Sequence, residues 1–172
     1  MPTRELTVET IFFEPSDWVP NHPHLPVLVY RNAIPAEGEM APKFEAKFRE
    51  NRWQGLWRNG VFDYQHYHTG AHEVLGIAGG RARLLIGGPD GAELSLIAGD
   101  CLVLPAGTGH RRIEASRDFL VVGGYPPGQQ ADIQTGPASE MQLATIAELP
   151  LPASDPIEGA HGALSRFWSR RS

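Results

Sequence analysis

Residues 66 to 73 read HYHTGAHE, three histidines and a glutamate within eight positions. Imidazole and carboxylate are the side chains that hold divalent transition metals through nitrogen and oxygen. Chelation by His-x-His needs an extended backbone. Residues two apart diverge on a helix, whereas on a strand they share a face with Cα atoms about 6.8 Å apart. The run VFDYQHYH is therefore expected to be a strand, with Phe62, Tyr64, His66 and His68 on one face and Val61, Asp63, Gln65 and Tyr67 on the other. Aromatic neighbours beside two imidazoles would keep such a site partly dry. Unbroken parity would carry the same face on to His72. A bend at Gly70, within the break Thr69-Gly70-Ala71, would turn Glu73 inward instead.

Other reactive side chains are placed by their context. Arg112 stands two beyond His110 on the same strand face, where its planar fork suits a substrate carboxylate. Phe62, Tyr64, His72 and Arg112 are accordingly the expected pocket residues. His22 and His24 in NHPHLP are flanked by prolines, which deny a regular central strand, so they read as loop residues. Cys101 falls in a buried apolar run and reads as packing.

The elements that must position these groups follow from periodicity. Residues 1–40 are punctuated by prolines around the likeliest strand, VLVYRNAI. APKFEAKFRENRW sets Phe44 and Phe48 four apart among charges, the single apolar stripe of a surface helix. From 60 to 125 the chain breaks into VFDYQHYH, EVLGIAG, ARLLIGG, AELSLIAG, CLVLPAG and DFLVVGGY, separated by Gly, Asp and Pro. Many closely spaced short strands indicate an antiparallel sandwich or barrel. GGPDGAE supplies a hairpin turn, since Asp-Gly tolerates positive φ. Beyond Pro126 the chain is irregular until GALSRFW, expected to pack back through Leu164, Phe167 and Trp168.

Two longer patterns enclose these residues. Gly60, His66, His68, Glu73 and Gly80 form G-x5-H-x-H-x4-E-x6-G, and Gly99, Pro105, Gly107 and His110 form G-x5-P-x-G-x2-H. Together they resemble the paired motifs of the cupin superfamily, departing only at the last position, usually Asn and here Glu114. The resemblance implies an all-β double-stranded β-helix, or jelly-roll barrel, with a short surface helix and irregular terminal extensions. One domain over 1–172 is expected: amino-terminal strands and helix at 1–59, a core barrel at 60–125, and a carboxy-terminal extension at 126–172. The family's ligands fall on His66, His68, Glu73 and His110, with His72 outside them. Such a donor set suits one divalent ion of Fe, Mn, Ni, Zn or Cu, and a six-coordinate ion would keep two positions open for substrate or dioxygen. The resemblance further implies a metal-dependent enzyme, an oxygenase or isomerase, acting on a small polar or anionic molecule. The rival is a non-catalytic ligand-binding or metal-binding module, favoured by the lack of a second acid–base pair on the inward face; no catalytic residue is assigned. Cupins commonly pair through amino-terminal strands, so a homodimer is expected.

Composition narrows the remaining classes. The 172 residues carry a net charge of -5, with no basic run longer than Arg111-Arg112 or Arg170-Arg171. Nucleic acid and anionic membranes are thereby poor partners, leaving a small-molecule ligand. A single cysteine, an amino terminus without a secretory pattern, and no apolar stretch near the roughly 20 residues that cross a bilayer point to the cytoplasm.

Overall fold

Side-chain alternation sorts this sequence into two antiparallel sheets. The computed structural model describes residues 5–169. In chain order, the elements are β1 (Thr7–Ile11), β2 (Val27–Arg31), α1 (Met40–Glu50), β3 (Gln54–Asn59), β4 (Glu73–Gly79), β5 (Arg81–Ile86), β6 (Ala92–Ile97), β7 (Cys101–Leu104), β8 (His110–Ala115), β9 (Leu120–Tyr125), α2 (Glu140–Glu148) and α3 (Ala163–Phe167). A six-stranded sheet runs β1-β2-β7-β4-β9-β3, and a three-stranded sheet runs β6-β5-β8. The Pro-rich amino segment adds β1 and β2 at one edge of the larger sheet.

The period of two explains both cores. Val27 and Val29 of β2, Leu75 and Ile77 of β4, and Leu102 and Leu104 of β7 face Leu84 and Ile86 of β5 and Leu94 and Leu96 of β6. Their neighbours Leu28, Tyr30, Val74, Cys101 and Val103 point the other way, into a second core closed by α1 and the carboxy-terminal segment. Strands covered on both faces lose polar alternation, which is why VLVY and CLVL read as continuous apolar runs. Cys101 is fully buried there as packing.

The stripe on α1 buries Phe44 and Phe48 completely. Phe44 lies over Gly76 so closely that a Cβ there would stand 2.6 Å from its ring. Gly76→Ala is therefore expected to force α1 outward and cost about 1–3 kcal/mol. The check is a lower urea midpoint at unchanged slope, and wild-type stability would refute the contact's importance.

Three expectations are corrected. VFDYQHYH forms no regular strand: it runs beside the free edge of β8, joined by the His66–His110 pair and by Arg112 N–H to the Phe62 carbonyl. Four steps of chain from 62 to 66 thus oppose two from 112 to 110, which no ladder register accommodates. The nearest regular strand before it is β3 at 54–59, which pairs with β9. In the tail, Leu164 and Trp168 are buried but Phe167 is 39% exposed, its ring under the Arg166 guanidinium. α2 was hidden by the surrounding prolines; a reciprocal Ser139–Gln142 capping box starts it. No helix among the described residues is long and apolar enough to cross a membrane.

Candidate metal centre

Three local devices bring the imidazoles together. The irregular segment 61–68 delivers His66 and His68. Its end is a corner at Thr69-Gly70, whose backbone N–H groups each donate to the Asp132 carboxylate at 2.8 Å, with the Thr69 hydroxyl donating at 2.6 Å. Opposite, Gly107 takes φ +86° to turn the chain between β7 and β8, where a Cβ would also approach the Asn21 carbonyl to 2.9 Å. Its N–H donates to the His68 carbonyl at 2.7 Å, which docks this turn on the His-x-His segment and sets His110 beside His66.

Beyond the corner, β4 restarts the alternation. Glu73 shares the face of Leu75 and Ile77 and enters the space between the sheets, whereas His72 shares that of Val74 and enters the other core. His72 is fully buried there: its Nδ1 accepts from Ala106 N–H at 2.9 Å, and its ring lies 5.0 Å from Trp168 and 6.2 Å from His22. Its Nε2 is a buried atom without a hydrogen-bond partner among the described residues.

His66, His68 and His110 are all buried, with ligand atoms within 4.8 Å of one another, a cluster that could hold a metal ion. Their tautomers are set from behind. His66 Nδ1 faces the Tyr64 carbonyl at 3.1 Å, His110 Nδ1 the Thr108 carbonyl at 3.0 Å, and His68 Nδ1 the Asp132 carbonyl. A carbonyl only accepts, so each Nδ1 carries a proton and Nε2 is the ring atom left to face Glu73 or a metal ion. Glu73 Oε1 lies 3.4 Å from both His68 Nε2 and His110 Nε2.

The electrostatics suit a cation. Burial alone would raise the Glu73 carboxyl, but the His68 charge and hydrogen bonds from His110 and His68 hold it well below the usual carboxylate range. Burial opposes charge on His68 as well, and Glu73 overrides it, lifting the imidazole to about 9. His66 is held down to about 3 by burial and by His110. A dication would take the place of that extra proton beside Glu73.

A cavity of about 210 Å3 opens on the cluster. Trp57, Val61, Phe62, Leu75, Tyr125 and Ile133 line it, with Asn59, Glu73 and the three histidines. Of the expected pocket residues, Phe62 is present. Tyr64 is not in the lining; it stacks on the outer side of Phe62 at 4.9 Å. His72 is not, because β4 parity turns it into the other core. Arg112 is not either: it donates to the Val61 carbonyl at 3.4 Å and pairs with Asp63 at 4.0 Å. His22 is a buried loop residue whose Nδ1 accepts from His24 and Leu25 N–H, both at 3.0 Å.

Sequence reasoning missed two supports. Trp57 Nε1–H donates to the Tyr125 hydroxyl at 2.9 Å, and burial and then the nearby Glu73 charge push that phenol well above its ordinary value. Asp132 supports His68 through its carbonyl and the corner through its carboxylate, which those hydrogen bonds hold down to about 2 against the effect of burial. The polar ADIQ stretch in an otherwise irregular tail was the sole sign of it.

No protein-family model matches the chain. It is 39% identical over 166 residues to "Uncharacterized protein YjlB" of Bacillus subtilis (strain 168), an alignment covering 95% of this chain and 98% of that protein.

Proposed function

The chain belongs to the family of the Bacillus protein YjlB, and from that premise and the geometry of the buried cluster we propose that it is a metal-dependent enzyme of the cupin type. Supporting this reading, the two sheets pack face to face around one apolar core, as a double-stranded β-helix requires. His66, His68, Glu73 and His110 would hold one divalent ion of Fe, Mn, Ni, Zn or Cu. The single observation that carries the reading is the shared commitment of three Nδ1 atoms to backbone carbonyls, which turns three Nε2 atoms toward a buried carboxylate. A cation at that point would take the place of the proton that Glu73 otherwise keeps on His68.

A bound ion would supply Lewis acidity and a template for a small molecule with oxygen donors, within the oxygenase or isomerase classes. The protein supplies the rest: Tyr125 orients Glu73, Trp57 orients Tyr125, and the apolar wall excludes water. Elemental analysis after purification without chelator or nickel resin tests the proposal. The expected result is about one transition metal per chain; no metal in that preparation and no uptake on titration would end it.

We also propose a homodimer paired through the free edge of β1, which presents unpaired backbone groups at the rim of the larger sheet. Light scattering is expected to give twice the chain mass, and a monomer at about tens of micromolar would remove the idea.

A further inference from the structure

We infer that the cavity selects a compact monoanion whose single charged head reaches the metal centre and whose body is apolar, entering between Phe62 and Ile133. This rests on the metal-site reading for the head and on the wall alone for the body. At about 210 Å3 the space is smaller than the about 300 Å3 at which drug-sized sites begin. The part of a ligand that it encloses is therefore compact, about one ring or a short branched chain.

Charge sets the number of anionic groups. Among the described residues, no Lys or Arg lines the cavity. Arg112, the nearest sequence candidate for an anion clamp, is spent on the Val61 carbonyl and Asp63, and its backbone N–H holds the Phe62 carbonyl at 2.8 Å. Its place is behind the wall, where it fixes Phe62 rather than meeting a ligand. A dication beside Glu73 leaves a net charge of about +1, enough for one anionic head. A second anionic group would meet Trp57, Val61, Leu75 and Ile133, and the uncharged Asn59 amide and Tyr125 hydroxyl bring no positive charge to offset its lost hydration.

The rim points the same way. Phe62 is 42% exposed and Ile133 51% exposed, large apolar side chains at the mouth of a cavity whose floor of His66, His68, Glu73 and His110 is buried. Phe62 cannot rotate freely, since it is stacked on Tyr64 and packs edge-on against His66 at 5.2 Å. A rigid aromatic face above a metal cluster recognises a flat or branched apolar body.

The test compares four probes on Co(II)-loaded protein: benzoate, acetate, succinate and inorganic phosphate, followed by calorimetry and by the visible Co(II) bands. Benzoate is expected to bind at least about ten-fold tighter than acetate, with succinate and phosphate weaker than benzoate. Phe62→Ala, which keeps every candidate metal ligand, is expected to bring the ratio of benzoate to acetate affinity close to one. Succinate or phosphate binding more tightly than benzoate, or Phe62→Ala weakening benzoate and acetate equally, would overturn the inference while the metal reading stands. Should Co(II) not bind, the metal reading falls separately. The wall is then read on the metal-free protein: phenol raises the melting temperature, glycerol does not, and Phe62→Ala abolishes the difference. Equal shifts, or none, overturn the inference there too.

Discussion

Glu73→Ala is expected to lower transition-metal affinity by more than about 100-fold, the upper end for removing a residue that merely supports a ligand, while His72→Ala keeps the ion. Among the described residues Glu73 is the one carboxylate lining the cavity, and its Oε1 stands equally close to His68 and His110. Without it, three neutral imidazoles would face a dication in a partly desolvated space with no countercharge. His72 acts elsewhere: removing it opens a hole against Trp168 and strands the Ala106 N–H, costing about 1–3 kcal/mol for the lost hydrogen bond. The paired readout separates the roles. Metal titration should fail for the first variant alone, and the melting temperature should fall for the second. If His72→Ala loses the ion and Glu73→Ala retains it, the assignment of Glu73 is wrong.

Acidification from pH 7 to pH 5 is expected to destabilise the metal-free protein by about 2 kcal/mol for each of three histidines, His22, His66 and His72. Burial, and secondarily His24, holds His22 at about 4; burial, and secondarily His110, holds His66 at about 3; burial, and secondarily His22, holds His72 at about 3. Their ordinary value is 6.5. Because the folded values are depressed, the unfolded chain binds more protons below 6.5, and stability drains away as the pH falls from there toward 4 and 3. His68 has the opposite sign: with its folded value raised to about 9, its contribution still grows by about 1 kcal/mol from pH 7 to pH 5 and offsets part of the loss. Glu73, held low, loses its contribution only below the ordinary 4.5. Urea melts at both pH values measure the loss. His22→Asn places an amide oxygen where Nδ1 accepts from His24 and Leu25 and cannot titrate, so it should recover about 2 kcal/mol of the difference. Curves that stay parallel for wild type and variant would dismiss the buried histidines as the cause.

What was readable in advance follows the range of each signal. The sheets were readable because period two repeats within each strand: Val27 and Val29 against Leu28 and Tyr30, Leu75 and Ile77 against Val74. α1 was readable from Phe44 and Phe48, one turn apart. The strand expected at 61–68 failed although its alternation is real, since Phe62, Tyr64, His66 and His68 do form a chain of ring contacts. Alternation describes side-chain direction, and a strand also needs a partner in register.

By itself the sequence determined the ligand types, their spacing, the glycine that permits the turn before His110, and the break at Gly70 after which β4 restarts. Tertiary structure alone decided what stands behind each ligand. Asp132 reaches the Thr69-Gly70 corner across 63 positions, Trp57 reaches Tyr125 across 68, and Trp168 closes over His72 from the far end of the chain. It also withdrew Arg112 from the cavity by giving it the Val61 carbonyl. Hydrophobic period and turn chemistry act over a few residues, through backbone geometry that neighbours share. Hydrogen bonds between distant segments depend on where packing happens to deliver each donor, and no local pattern encodes that delivery.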